Sequence, residues 1–198
     1  MLSGADGAIA VALVEWADDA VVTLDWQVIR TAEEAASVAG AIRALKHRHG
    51  EYTCMARLLG TVGEHVLASL PVSAAKLVVA VSGDGIDNCA KPDEVASARD
   101  MLIGHGVTIN GLPIIVEGEN DVVGSGACRA PGYGLRELAR GPDTGTTTLD
   151  AWYRTNVIGG PGAFLMPATG YQDFGRAFRL KFVTEISLGQ PAAIALGR

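Results

Sequence analysis

Nearly continuous apolar runs alternate with segments of helical spacing along most of this chain. Ala8–Ala17 is apolar at almost every position, which is typical of a strand buried on both faces. Val21–Ile29 alternates more strongly, and only Asp18 and Asp19 form the turn between the two runs. Because so short a link permits only an antiparallel hairpin, we predict that the second strand lies at an edge of the sheet.

Two helices are predicted after this hairpin. Thr31 and Glu34 stand at the spacing of a capping box and open a helix that reaches about His47. Thr53 is predicted to cap a second helix over roughly Cys54–Leu70. Both helices carry apolar residues three and four positions apart, so each is expected to bury one face.

The rest of the chain continues the alternation of strands and helices. A long stretch rich in Gly, Pro and Thr, Gly118–Thr148, interrupts it and holds one predicted short helix, Leu135–Ala139. The last predicted helix is amphipathic and has Phe174, Phe178, Phe182 and Ile186 four apart. The other predicted elements are a strand at Lys76–Ser82, a helix from Pro92 to about Gly104, a strand at Val107–Ile115, a helix at Leu149–Val157, a strand at Ala163–Met166 and the closing helix at Tyr171–Leu188.

This order of elements predicts an α/β fold. Strands that alternate with helices form a mostly parallel sheet with helices on both faces, and the opening hairpin supplies one antiparallel edge strand. A chain of 198 residues favours one domain, which we place at residues 1–188 with a flexible tail at 189–198.

Composition excludes some classes of function. The net charge is -6, and the only basic cluster of note is Arg43–His49, so we expect no nucleic-acid partner. No apolar run reaches about 18 residues, so no membrane span is predicted. The first residues lack the basic region and the exit site of a signal peptide, which as written predicts a cytoplasmic protein.

The three cysteines do not have the spacing of a zinc site. Cys89 and Cys128 both fall in predicted loops after strands, so they could form a disulfide if the compartment is oxidising. In a reducing cytosol all three would be free thiols. Cys54 stands at a helix start, where we expect it to be part of the core.

The main candidate for chemistry is Asp84, which follows the apolar part of the run KLVVAVSGDGIDN at Lys76–Asn88. A carboxylate between Gly83 and Gly85, at the end of a buried strand, can approach a ligand at the carboxyl edge of the sheet. It can also approach a divalent cation such as Mg²⁺, for which the Thr53 hydroxyl is a second candidate ligand. The alternatives are a plain turn at Asp84 and a plain helix cap at Thr53. Ser82 and Asp87 lie in the same loop, either near a site or as partners of turn amides.

Other polar residues carry weaker signals. Glu15 is interpreted as an end-of-strand residue that reaches solvent, with a site residue near the sheet edge as the alternative, and the four histidines form no ligand pair. Asp143-Thr144-Gly145 resembles half of an aspartic-protease signature, but it has no apolar strand before it and no second copy. Gly159–Gly162 precedes a predicted strand, whereas a phosphate loop follows one, so we interpret it as a turn that could line the site.

Several stretches together resemble a known family. VVAVSGDG, GVTINGLPI, LDAWYRTNVIGGPGAF and YQDFGRAFRLKFVTEI are similar, in order, to an uncharacterised bacterial family of von Willebrand factor A-like (vWA) domains. The resemblance implies a vWA, Rossmann-like three-layer sandwich, a non-catalytic binding role and export from the cytoplasm. It also implies a metal-ion-dependent adhesion site (MIDAS), in which a divalent cation accepts an acidic group from a partner. Asp84 matches the aspartate that follows the fourth strand of such domains, and Thr53 is the matching threonine.

The chain departs from this family at one point. It contains no Asp-x-Ser-x-Ser, the loop that follows the first, central strand and carries three of the usual five ligands. We therefore expect a domain without that strand, owing to a misassigned start codon or a truncated copy. The strands Ala8–Ala17 and Lys76–Ser82 would then be unpaired at facing edges unless they pair directly. With Asp84 and Thr53 alone, metal binding is expected to be weak or absent.

Two other hypotheses stay open at this stage. One is a small α/β hydrolase-like enzyme that uses Asp84 or Ser82, although no histidine lies in a predicted loop at the carboxyl edge of the strands. The other is a non-functional fragment.

Overall fold

The opening hairpin forms as the apolar pattern predicts. We describe a computed structural model at residues 8–46, 48–71, 73–91, 93–124 and 146–187. Strand β1 (Ile9–Trp16) pairs antiparallel with β2 (Ala20–Ile29), and the register shifts between Val11 and Val14. The predicted helix at Leu135–Ala139, the Asp143-Thr144-Gly145 motif, Cys128, His47 and the tail at 189–198 lie outside the described residues.

Both predicted helices after the hairpin are present, but the N-cap predicted for the second helix is wrong. Helix α1 (Ala32–Ala44) begins with the predicted capping box, in which Thr31 Oγ1 accepts a hydrogen bond from the Glu34 amide. Helix α2 (Met55–Thr61) has Cys54, not Thr53, at its N-cap and no side-chain cap. It continues as a π turn and a 3₁₀ turn to Ser69. The Thr53 hydroxyl is therefore not used as a helix cap.

A parallel sheet forms the second half of the fold. Strand β3 (Leu77–Gly83) leads through helix α3 (Glu94–Gly104) to β4 (Val107–Ile115), and the two strands pair in parallel along their length. The remaining elements are β5 (Val122–Val123), which pairs antiparallel with β6 (Thr147–Thr148), then α4 (Leu149–Asn156), β7 (Ala168–Thr169), which pairs in parallel with β4, and α5 (Phe174–Ser187).

The strand predicted at Ala163–Met166 is found slightly later in the chain, at β7. Leu165 forms a single parallel bridge with Gly111, and regular pairing begins only at β7. A Cβ at Gly111 would lie 2.6 Å from the Leu165 side chain, so the glycine lets this segment cross β4 closely. The segment is thus held against β4 as a bridge rather than as a strand of its own.

Opposite faces of β4 contribute to two hydrophobic cores. Val107 and Ile109 belong to the larger core, which α2, α3 and α4 cover and to which half-buried residues of β1 and β2 add. Leu112 faces a smaller core with Ala168 and Ala177, under α5. This places helices on both faces of the sheet, as the order of elements predicts.

Only part of the apolar stripe of α5 faces the core, because Phe174 packs against the smaller core but Phe178 and Phe182 do not. Phe178 and Phe182 are about 40% exposed and stack on each other with ring centroids 6.2 Å apart. Ala177 and Lys181 are buried instead, and the Lys181 ammonium is paired with Glu185. Burial lowers the pKa of Lys181, and the charge of Glu185 opposes that shift. Glu185 also accepts a hydrogen bond from Asn110 of β4 at 2.8 Å, so polar contacts decide which face turns inward.

No hydrogen-bonded ladder joins β1 to β3 in the part of the chain that the structure describes. There, β1 pairs only with β2, and β3 pairs only with β4. All eight residues of β1 are partly exposed although most are apolar, and of β3 only Val81 is fully buried. Among the described residues each strand therefore keeps one edge without a partner strand, and the two do not pair directly with each other.

This arrangement predicts uneven protection of the β3 amides. In an edge strand, alternate N–H groups point away from the partner and are not held by the ladder. We expect such amides within Leu77–Gly83 to exchange with solvent at least about 100-fold faster than those of β4, by analogy with the spread of local opening energies. Residue-resolved hydrogen exchange by NMR measures this ratio. Uniform protection of β3 would mean that another strand covers its free edge.

Candidate functional site

Asp84 stands at the carboxyl edge of the parallel sheet, directly after β3. Its carboxylate is exposed, and Oδ2 accepts a hydrogen bond from the Tyr171 hydroxyl. Its backbone carbonyl accepts a hydrogen bond of 2.6 Å from the side-chain amide of Asn120, Nδ2. The same Nδ2 donates to Ile114 O at 2.8 Å, and Asn120 Oδ1 accepts from the Val116 amide at 2.7 Å. Asn120 is buried and uses its amide fully. The backbone of Asp84 is thus fixed while its carboxylate stays available.

The Thr53 segment lies against the same loop. The Thr53 amide donates to Asn88 Oδ1 at 2.7 Å, and the Asn88 amide donates to Thr53 O at 3.1 Å. A Cβ at Gly85 would lie 3.2 Å from Thr53 Oγ1, so the hydroxyl rests beside the residue that follows Asp84. The structure therefore brings Thr53 and the Asp84 loop together, as the sequence predicts.

Asp87 stabilises the loop rather than facing a ligand. Its Oδ2 accepts from the Ala56 amide at 2.9 Å, and its Oδ1 accepts from the amides of Cys89 and Ala90 at 2.9 and 2.7 Å. Both carboxylate oxygens are thus bound to backbone N–H groups. This is the turn-stabilising alternative considered for Asp87 from the sequence.

The disulfide considered possible between Cys89 and Cys128 does not form, because Cys89 has another partner. Cys89 is bonded to Cys54, across 35 residues and with a Cα–Cα distance of 5.1 Å. The Thr53–Asn88 hydrogen bonds explain the pairing, because they place the two cysteines side by side at the start of α2. The bond therefore ties the loop of Thr53 to the loop of Asp84.

Tyr153 is a buried neighbour that sequence reasoning missed. Its ring is fully buried, and its hydroxyl has no hydrogen-bond partner among the described residues. A Cβ at Gly83 would lie 2.8 Å from this hydroxyl and 3.0 Å from the Trp16 ring, which explains the glycine before Asp84. Burial raises the pKa of Tyr153, and the charge of Asp84 adds to the shift. Its position one turn after Leu149 in α4 signals only a core residue.

The Gly159–Gly162 turn, expected to line the site, lies at the opposite edge of the sheet. Gly159 bridges to Ile109, and Thr108 Oγ1 donates to Pro161 O at 3.1 Å, both near the start of β4. A Cβ at Gly160 would lie 2.5 Å from Val107 O, so the loop is tightly packed there. The expectation that this turn lines the site is wrong, because the chain returns after α4 to the amino end of β4, whereas Asp84 lies at the carboxyl edge of the sheet.

Neither Ser82 nor His105 lies where it could form a catalytic group with Asp84. Ser82 lies within β3, opposite Leu112 of β4. His105 ends α3, next to the amino end of β4, and its ring contacts Met101 O at 2.8 Å. Glu15 lies within β1, opposite Val21, and is half-buried.

The oxygen donors of this site are of the kind that a hard cation prefers, but they are fewer than such a cation needs to fill its coordination shell. Asp84 offers a carboxylate and Thr53 a hydroxyl, whereas Mg²⁺ takes six oxygens and holds most of its waters when protein ligands are few. In the described part of the chain, no three His, Cys, Asp or Glu side chains cluster to hold a metal ion. Asp84 and Thr53 therefore fit a weakly held divalent cation that keeps most of its water.

Comparisons with known proteins identify a family and several proteins of similar fold. A family model described as "Protein of unknown function (DUF1194)" matches residues 1–190. Proximal thread matrix protein 1 of the mussel byssus is similar in structure, with a TM-score of 0.55 and 15% identity over 88% of this chain and 34% of that one. This chain spans about a third of that protein. A second structure of it, with a zinc-occupied MIDAS motif, gives a TM-score of 0.56 at 15% identity, with the same coverage of 88% and 34%.

A bacterial structure is also similar. The conserved hypothetical protein BatB of Bacteroides thetaiotaomicron gives a TM-score of 0.54 and 12% identity over 90% of this chain and 80% of that one. A search of the curated proteins gives no match. Because the thread matrix protein and BatB are vWA-domain proteins, the vWA-like fold expected from the sequence is confirmed.

Asn120 is expected to matter for stability through its contact with Asp84. Asn120→Ala removes three hydrogen bonds of a buried side chain, so we expect the free energy of unfolding to fall by about 1–3 kcal/mol. Asn156→Ala is the control, because its side chain donates only to Trp152 O in its own helix. The control should lose less than about 1 kcal/mol. Urea unfolding measures both, and equal losses would mean that Asn120 is not a special anchor.

Proposed function

Because the chain belongs to the DUF1194 family, we propose that it is a non-catalytic vWA-like binding module with a residual metal site centred on Asp84. The observation that carries this proposal is the exposed Asp84 carboxylate on a rigid backbone. The Asn120 side chain donates a hydrogen bond to the Asp84 carbonyl, and the Tyr171 hydroxyl donates one to the Asp84 carboxylate. A fixed acid at the carboxyl edge of a parallel sheet stands where ligands bind in α/β folds.

The proposed ligand is a divalent cation, Mg²⁺ or another, that retains open positions. Asp84 and Thr53 supply protein oxygens, and water completes the shell of the ion. The cation would then accept an acidic group of a protein partner, as implied by the family resemblance. Within the site, Asn88 and the Cys54–Cys89 disulfide keep Thr53 beside the Asp84 loop.

The disulfide supports a location outside the cytoplasm. Disulfides persist in oxidising compartments and are rare in the cytosol, where thiols are kept reduced. Cys54 is buried, and its bond to Cys89 links two loops of the proposed site. We therefore propose that the protein works in an exported or periplasmic location. No helix in the described part of the chain is long and apolar enough to cross a bilayer.

The other hypotheses gain no support. A hydrolase that uses Ser82 or Asp84 needs a general base, and His105 lies at the amino end of β4, the edge opposite Asp84. A non-functional fragment is expected to be poorly packed, whereas the buried Asn120 side chain makes three hydrogen bonds beside Asp84. The larger hydrophobic core also joins residues of both halves of the chain.

A magnesium titration tests the proposal. We expect wild-type protein to bind Mg²⁺ with a Kd weaker than about 1 mM, since few protein oxygens replace the waters of the ion. The amide resonances of Asp84, Gly85 and Thr53 should shift most in two-dimensional NMR spectra. Asp84→Ala should abolish these shifts. Asp100→Ala, an exposed carboxylate on α3, should leave them unchanged.

Acetate serves as the probe for the acidic group of a partner. In the presence of Mg²⁺, acetate should cause further shifts at the same residues, and without Mg²⁺ it should cause none. The proposal is wrong if Mg²⁺, Mn²⁺ and Ca²⁺ all leave these resonances unchanged. It is equally wrong if Asp84→Ala responds to the ions as wild-type does.

A further inference from the structure

Tyr171 makes an unexpected contact with Asp84. Its hydroxyl donates a hydrogen bond to Asp84 Oδ2, although the two residues are 87 positions apart. The Tyr171 side chain is 60% exposed, so burial of its ring explains little of its position. The contact therefore joins an exposed aromatic residue to the one exposed carboxylate that the proposed function uses.

The turn that carries Tyr171 is itself held in place. Strand β7 pairs with the end of β4, and Gly170 then adopts a φ of +80°, which only glycine tolerates easily. The Thr169 amide donates to Asp173 Oδ2 at 3.0 Å, and Arg176 Nη2 donates to the same oxygen at 2.7 Å. The hydrogen bond from Arg176, with that from Thr169, lowers the pKa of Asp173 to about 2. Asp173 thus stays charged, and the turn is fixed, at any physiological pH.

A hydrogen bond on one carboxylate oxygen sets the direction of the other. Carboxylates that bind metal ions are commonly hydrogen-bonded by an outer partner, and loss of that partner weakens metal binding by about 10- to 100-fold. With Oδ2 of Asp84 bound to Tyr171, Oδ1 is the oxygen left to face a cation. The hydrogen bonds of the turn hold the backbone around Tyr171 and so support this orientation.

We propose that Tyr171 is the positioning residue of this site, which holds Asp84 Oδ2 so that Oδ1 is presented to the divalent cation. The inference rests on the proposed function, because it concerns the same carboxylate. The rival role is competition, in which the Tyr171 hydroxyl blocks Asp84 and must leave before a cation binds. The two roles predict opposite effects of removing the hydroxyl.

The first test needs no cation. In metal-free protein, Tyr171→Phe should change the carboxyl ¹³C chemical shift of Asp84, because the hydrogen bond to Oδ2 is lost. Tyr52→Phe is the matched control, since Tyr52 is also an exposed tyrosine at 44%. It should leave the Asp84 signal unchanged. An unchanged Asp84 signal in Tyr171→Phe would overturn the inference.

The second test measures Mg²⁺ affinity from the amide shifts of Gly85. Tyr171→Phe should weaken binding about 10-fold relative to wild-type and to Tyr52→Phe. The urea midpoint should stay the same, because the lost hydroxyl is on the surface.

Each contrary result has a distinct meaning. Unchanged or tighter Mg²⁺ binding by Tyr171→Phe overturns the positioning role and leaves the proposed function standing. Absence of any Mg²⁺ response in wild-type protein overturns the proposed function and, with it, this inference.

Discussion

The in-register parallel pairing of β3 with β4 is the constraint on which the site depends. Leu77 stands opposite Val107 and Gly83 opposite Pro113, so both strands end at one edge. Asp84 then meets the loop after β4, where Asn120 binds its carbonyl. Because β7 pairs with the end of the same strand, Tyr171 reaches that edge as well. Two ladders that share β4 thus bring together residues from three distant parts of the chain.

Polar contacts, rather than apolar packing, fix the loops at this edge. Asn88, Asp87 and Asn120 bind backbone groups, and the Cys54–Cys89 bond closes a loop of 35 residues. In the chain-entropy account, a disulfide across such a loop contributes about 3–4 kcal/mol. These contacts hold the edge together even though β1 and β3 lack a common ladder in the described residues. The site can therefore be rigid beside an incomplete sheet.

Sequence patterns predicted the elements well and the polar contacts poorly. Apolar runs located β1, β3 and β4, because buried strands leave a signal in the sequence, and the end of one such run pointed to the candidate site at Asp84. The partners of Asp84 leave none: Asn120 and Tyr171 lie 36 and 87 residues away and meet it only through the register of the sheet. The disulfide and the inward face of α5 were missed for the same reason. Lys181 faces inward because Glu185 and Asn110 satisfy the buried polar groups, which helical spacing cannot reveal.

Paramagnetic broadening by Mn²⁺ tests the central claim, that the carboxyl edge around Asp84 is a cation-binding site, most directly. Substoichiometric Mn²⁺ broadens amide resonances near the ion even when binding is weak. The account predicts that the amides of Asp84, Gly85, Thr53 and Tyr171 broaden first and that an excess of Mg²⁺ restores them. Broadening centred on another acidic surface, such as Glu33 and Glu34 at the start of α1, would contradict it.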